Sequence, residues 1–325
     1  TVDTGTGDDL ISASNYQGSA KLVITAGDGN DTAFGGAGAD SILGGKGDDY
    51  IDGRFAADQL NGGDGNDSIV WNAGGGSDTV DGGAGVDSLV LNTTNIGETF
   101  SILDFGGHAV VTRDIAAVTL DLDNVERIAF GGSGGGADRF FISGVGTTEV
   151  KLVEIDLGLA IGGNDGELDT VAITAGAAGE GIAITGGAGA ATVKGLPMEL
   201  RVTRGEAVDR LVVDALDGAD TIDASAFAGG IGLRLDGGAG ADRFVFGATL
   251  GVDAEIVAFQ SHSLSAEADL IVLNGFADAS FADAVANQHI VQSGADVVVS
   301  DGTGAVVRLL NVSLANLGAA DFLFG

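Results

Sequence analysis

Residues 26–52 read AGDGNDTAF, GGAGADSIL, GGKGDDYID: three nine-residue units, each with an aspartate closing a glycine-rich hexapeptide and an apolar residue two places later. Outward from there, the rhythm runs through GRFAADQLN and GGDGNDSIV to residue 70. After a two-residue insertion, Trp71 and Asn72, it resumes as AGGGSDTVD and GGAGVDSLV to residue 90. An earlier unit, TGTGDDLIS at 4–12, carries Asp9 and Ile11. The sixth-position aspartates are Asp31, Asp40, Asp49, Asp58, Asp67, Asp78 and Asp87. The eighth position holds Ala33, Ile42, Ile51, Leu60, Ile69, Val80 and Leu89.

That spacing predicts an all-β parallel β-roll, a β-solenoid of very short strands. Six residues make a turn and three make a strand with one side chain pointing inward. One unit reverses the chain, so two complete a coil and residues 18 apart stack. Asp31, Asp49 and Asp67 then line one edge, and Asp40 and Asp58 the other. Carboxylates stacked one strand spacing apart (~4.8 Å) need a cation between them. Calcium suits the task, since it takes 6–8 oxygen ligands in flexible geometry. Each turn offers its aspartate and the carbonyls that glycine leaves open. The glycines concerned are Gly27 and Gly29, Gly36 and Gly38, Gly45 and Gly47, Gly63 and Gly65, Gly74 and Gly76, and Gly83 and Gly85. In GRFAADQLN, Arg54 and Ala56 replace the second and fourth glycines, so a site around Asp58 is expected to be impaired. The insertion at Trp71 and Asn72 is expected to shift the sites beside Asp78.

Composition agrees. The 325 residues hold 47 acidic against 14 basic side chains, a net charge of −33, which disfavours nucleic acid and anionic membranes as partners. With 45% hydrophobic residues the chain is nevertheless able to bury a core. Its 58 glycines with a single proline imply many tight turns. The absence of cysteine removes disulfides and thiolate metal sites. No apolar run reaches the ~18 residues of a membrane span. Thr1 opens no recognisable signal peptide.

The stretch 26–90 resembles the RTX (repeats-in-toxin, or hemolysin-type calcium-binding) family. Its G-G-x-G-x-D-x-U-x signature is matched almost position by position over residues 35–52. The resemblance implies a parallel β-roll with several calcium ions between turns. It further implies type I secretion in an unfolded state, to the extracellular space or cell surface of a Gram-negative bacterium, with folding on meeting external calcium.

Past residue 90 the strict repeat dissolves. TFSILDF, HAVVTR and AVTLDLDNVERIAF alternate apolar and polar residues as half-buried strands do. Repeat-like turns return at 134–142, 162–173, 216–224 and 237–246, with Asp138, Asp165, Asp169, Asp220 and Asp242. The last of them carries Gly238 and Gly240 before Asp242. Residues 91–246 therefore read as the same solenoid continued in longer, irregular coils. Residues 247–325 hold a helical-looking segment at 280–288, a strand pair, ADVVVS and GAVVRLLNV, and the tail AADFLFG. They read as a cap on the open end of the solenoid and, by resemblance, as an uncleaved secretion signal.

No catalytic constellation emerges. His108, His262 and His289 are scattered and form no H-E-x-x-H. Ser133 lies in a G-x-S-x-G string, but within a glycine run where a nucleophile elbow needs a strand and a helix. The sequence thus favours a non-enzymatic structural or interaction protein of surface-layer, matrix-fibre or adhesin type. Its expected partners are calcium, further copies of itself in a lattice or fibre, and cell-surface polysaccharide. The alternative is the C-terminal calcium-binding and secretion module of a larger exoenzyme or toxin.

Overall fold

A computed structural model describes residues 1–132, 135–159, 162, 163, 165–247, 253–300, 302 and 306–325. It contains 30 strands among the described residues and one α-helix, Phe281–Ala286. Ser133 of the G-x-S-x-G string and Asn164 of the 162–173 turn lie outside the described residues. The chain forms two compact units, Thr1–Asp165 and Gly166–Gly325. The changes of repeat regularity at 90 and 246 therefore do not coincide with the boundary between units.

In the first unit, successive nonapeptides alternate between two parallel sheets. Val23–Asp28, Ser41–Lys46, Gln59–Asp64 and Thr79–Ala84 lie side by side in one. Thr32–Phe34, Tyr50–Asp52, Ser68–Asn72 and Ser88–Asn92 do so in the other. The two sheets are unequal. The first has six-residue strands that run on into the glycines of the following turn, whereas Thr32–Phe34 and Tyr50–Asp52 have three residues. Register sets Ile24 on Ile42, Ile42 on Leu60 and Leu60 on Val80; opposite them Ala33, Ile51, Ile69 and Leu89 stack likewise. Every one of these eighth-position side chains is buried. Burying an Ile or Leu contributes roughly 1.5–3 kcal/mol, so the apolar columns supply the core that the strands, short as they are, could not build alone.

The insertion at Trp71 and Asn72 is absorbed without losing register. It lengthens Ser68–Asn72 to five residues, buries Trp71 against the column, and stretches the repeat from 18 to 20 residues.

Beyond residue 90 the expected irregular continuation is corrected in one respect. Thr99–Phe105, His108–Arg113 and Val118–Asp123 form an antiparallel meander set into the first sheet. Val118–Asp123 docks parallel on Thr79–Ala84, and Thr99–Phe105 docks parallel on Arg139–Ser143. Parallel coiling resumes in the second sheet with Arg127–Gly131 and Leu152–Asp156. Phe100, Phe130 and Phe140 meet inside, with ring centroids 4.9–5.7 Å apart. A meander folds alternating strands locally, and alternation by itself does not distinguish it from a longer coil.

The second unit repeats the plan. Thr170–Thr174, Arg210–Asp214, Gly232–Asp236 and Ala254–Val257 run parallel in one sheet, extended by the antiparallel set Val306–Leu309, Asp296–Ser300 and Ile290–Ser293. The other sheet joins Gly181–Gly187, Thr221–Phe227, Arg243–Phe246, Leu270–Leu273 and Phe322–Phe324 in parallel, with a meander through Ala190–Lys194 and Glu199–Thr203. The tail AADFLFG is thus a working strand. The expected helix forms behind Ser280, whose hydroxyl caps it by accepting the N–H of Asp283.

Candidate metal centre

The aspartates form two ladders in the first unit. On one edge the N–H of each ladder residue donates to the carboxylate of the next coil: Asp9 to Asp31, Asp31 to Asp49, Asp49 to Asp67 and Asp67 to Asp87, all at 2.7–2.8 Å. Glu126 ends this row by accepting the N–H of Asp87. On the other edge Leu22 donates to Asp40, Asp40 to Asp58 and Asp58 to Asp78. Asp78 and Asp87 thus hold their ladder positions despite the insertion. The second unit carries a row of its own, Glu180 to Asp220, Asp220 to Asp242 and Asp242 to Asp269, and Asp169 donates to Asp209. In the first unit Asp138 accepts the N–H of Glu98. Asp165 is half-buried in the loop before Thr170–Thr174.

Oδ1 of each carboxylate is used in this way. The second oxygen is the anomaly: Oδ2 of Asp9, Asp31, Asp49, Asp58, Asp67, Asp87, Asp220 and Asp242 is buried with no hydrogen-bond partner. Leaving a charged oxygen in that state costs more than the ~1 kcal/mol a typical hydrogen bond returns. Neighbouring unit charges ~4.8 Å apart repel by about 3 kcal/mol at an effective dielectric of ~20. Burial favours the protonated form of several of these carboxyls. Burial pushes Asp58 up to about 7, with Asp78 and Asp40 adding repulsion. Burial likewise pushes Asp67, Asp78 and Asp269 up to about 6, and raises Asp49, Asp87 and Asp242.

Glycine makes the cradle for these oxygens. A Cβ on Gly44 would lie 2.2 Å from Oδ2 of Asp49, one on Gly62 2.1 Å from that of Asp67, and one on Gly237 2.3 Å from that of Asp242. Room for the carboxylate thus comes from the first-position glycines, whereas the second and fourth were expected to leave backbone carbonyls open. The latter do something else on the Asp31 edge. Gly27, Gly29, Gly45, Gly47, Gly63, Gly65, Gly83 and Gly85 all have positive φ, and a Cβ on Gly45 would meet the carbonyl oxygen of Gly27 at 2.0 Å. On this edge the backbones of successive coils therefore approach too closely to admit a side chain at these positions.

The Asp40 edge is less regular. Gly74 has positive φ, but Gly36, Gly38 and Gly76 do not, whereas Arg54 (φ 76) and Ala56 (φ 78) take up the left-handed region despite their side chains. This strain is the physical cost of the two lost glycines. The ladder bond through Asp58 is nonetheless intact.

The residues present fit calcium. Among the described residues no three His, Cys, Asp or Glu side chains gather into one metal-holding cluster. The offered set is instead one carboxylate oxygen per turn with adjacent backbone carbonyls, an all-oxygen arrangement that hard cations prefer. The ions would be held by Asp31, Asp49, Asp67 and Asp87 on one edge; on the other the unpartnered oxygen is that of Asp58, while Oδ2 of Asp40 accepts the N–H of Gly36 at 2.7 Å. Bound there, calcium supplies the positive charge and oxygen coordination that the orphaned Oδ2 atoms lack.

Several ladder members carried weak sequence signals. Glu98, Glu126 and Glu180 stand at the sixth position of turns that have lost some or all of the repeat glycines (TTNIGE, DLDNVE and AGAAGE), with Phe100, Ile128 and Ile182 two places on. Asp209 and Asp269 are marked only by a following apolar strand. Asp321, buried in the tail, accepts the N–H groups of His262 and Gly318.

The fold and its ladders define a calcium-binding parallel β-roll. Residues 25–60, 34–69 and 56–89 match the family described as the RTX calcium-binding nonapeptide repeat (4 copies). Residues 25–89 of the chain thus carry RTX-type calcium-binding nonapeptide repeats. Among solved structures it is similar to the extracellular lipase LipA from Serratia marcescens, with 16% identity over 89% of this chain and 40% of that one, at a TM-score of 0.26. The chain thus spans 40% of that lipase's length. No curated protein sequence matches it.

Proposed function

We propose that this chain is a secreted, calcium-dependent structural or interaction protein of surface-layer, matrix-fibre or adhesin type, acting by binding and assembly and not by catalysis. The observation that carries the reading is the row of buried, unpartnered Oδ2 atoms along the roll. A chain so built is poorly folded where calcium is scarce and well folded where it is plentiful. That suits export by type I secretion in an unfolded state from a Gram-negative cell, followed by folding outside. The formal charge of −33 leaves an acidic exterior, through which divalent ions can bridge copies of the chain or anionic cell-surface polysaccharide.

Nδ1 of His289 lies 2.6 Å from Asp278 and that of His262 lies 3.0 Å from Asp321, each within a local loop-fixing network. His108 is exposed, 3.9 Å from Asp123. Electron microscopy and sedimentation in calcium and in chelator test the assembly reading. Sheets or filaments that form only with calcium are expected; monodisperse particles in both conditions would refute it.

A further inference from the structure

The turn at Glu98 has the backbone of a metal-seeking turn but a different electrostatic solution. Its N–H donates to Oδ1 of Asp138 at 2.8 Å, as that of Asp49 does to Asp67. Its carbonyl accepts the N–H of Arg139 at 2.8 Å, as that of Asp49 accepts Ser68. Glu98 is 1% exposed, as deeply buried as the ladder aspartates. Its carboxylate, however, is fully partnered by the protein. Oε1 accepts Nε of Arg113 at 2.7 Å, Nη2 of the same guanidinium still more closely, and the Thr94 hydroxyl at 2.9 Å. Oε2 accepts the N–H of Thr94 at 3.0 Å.

Arg113 is itself 6% exposed, and its guanidinium lies 5.5 Å from the Trp71 ring centroid. It ends His108–Arg113, the central strand of the antiparallel meander. The meander therefore has a use beyond lengthening the sheet: it returns a permanently charged, fork-shaped donor to the coil's inner edge. A buried carboxylate and guanidinium in this arrangement satisfy each other, and removing either leaves an uncompensated buried charge.

We propose that Arg113 is the resident cation of the Glu98 turn, a guanidinium standing where the aspartate turns take calcium, so that this coil closes without metal. The inference rests on the calcium reading of the aspartate ladders. It makes the coil around Glu98 and Arg139 a metal-independent floor within the first unit. The calcium-dependent coils from Asp31 to Asp87 would build on that floor, and the calcium count of the unit would exclude this turn.

Hydrogen exchange on the full chain, in saturating calcium and in excess chelator at neutral pH, tests it. In chelator the amides of Glu98 and Arg139 are expected to exchange at least about tenfold more slowly than those of Asp31 and Asp49, local opening being governed by local stability. In Arg113→Gln, protection of Glu98 and Arg139 should fall in chelator to the level of the aspartate turns and return with calcium. Equal loss of protection at Glu98 and Asp31 in the unaltered protein would overturn the proposal, whether or not the variant folds. So would an Arg113→Gln protein whose metal-free protection at Glu98 is unchanged. A chelator without effect at any turn would instead sink the calcium reading, and this inference with it.

Discussion

The backbone N–H of Asp49 donates to Oδ1 of Asp67 at 2.8 Å, 18 residues further along the chain, while Oδ2 of the same Asp67 is buried without a partner. One half of the Asp67 carboxylate, and likewise of Asp31, Asp49 and Asp87, thus joins adjacent coils, and the other half calls for a cation. A single side chain serves both as a rung of the fold and as a ligand.

The two roles separate by substitution. Asp49→Ala removes the acceptor for the N–H of Asp31 along with the ligand, and should lower stability by about 1–3 kcal/mol for the stranded donor alone. Asp58→Asn keeps an acceptor for Asp40 but removes the charge. It should destabilise the protein in calcium and stabilise it in chelator, because its carboxyl already favours the proton. Thermal denaturation of both variants in the two conditions checks this; a loss of the same sign and size in both would contradict it.

Gly44→Ala should be far more damaging than Gly181→Ala. A Cβ on Gly44 meets Oδ2 of Asp49 at 2.2 Å and the carbonyl of Gly62 at 2.6 Å, whereas one on Gly181 meets nothing within 4 Å. The first variant is expected to lose calcium uptake at its turn, while the second keeps wild-type stoichiometry and melting. Calorimetric titration measures both.

Without metal, stability should fall as pH rises from about 4 to 7. Burial raises the carboxyls of Asp58 to about 7 and of Asp67, Asp78 and Asp269 to about 6, against an unfolded value of 3.8. The native state then binds more protons than the unfolded state across that window, so raising the pH favours unfolding. The stabilisation is complete below the unfolded value and lost as pH passes the folded ones. In saturating calcium the trend should reverse, since protons compete with the ion for the same oxygens. Melting temperatures in chelator and in calcium at pH 5 and 7.5 provide the comparison.

The sequence displayed the roll, its 18-residue stacking and the partition of Asp31, Asp49 and Asp67 from Asp40 and Asp58, because a nine-residue repeat constrains turn, strand and register together. It hid features that depend on tertiary closure. The 99–123 meander has the same alternation as a longer coil, so the entry of Arg113 beside Glu98 had no local signature. The cradle formed by Gly44 and Gly62 is visible only once Asp49 and Asp67 fold back on them. Asp209 and Asp269 join ladders through loops whose glycine pattern has decayed. Arg54 and Ala56 show that a degenerate repeat can be forced into the left-handed turn by its neighbours.

Core and ladder should be separable. Phe130 packs between Phe100 and Phe140 at 5.0 and 4.9 Å and is 2% exposed. Phe130→Ala should cost about 3–5 kcal/mol without changing the number of calcium ions bound at saturation. A lowered stoichiometry would mean that the phenylalanine cluster and the aspartate turns form one inseparable unit.

The most direct test is a calcium titration of the chelated protein at neutral pH, followed by far-UV circular dichroism and bound-ion stoichiometry. A cooperative gain of sheet signal as several ions bind is the expected result. The full sheet signal already present in excess chelator, with no metal bound, would contradict the account.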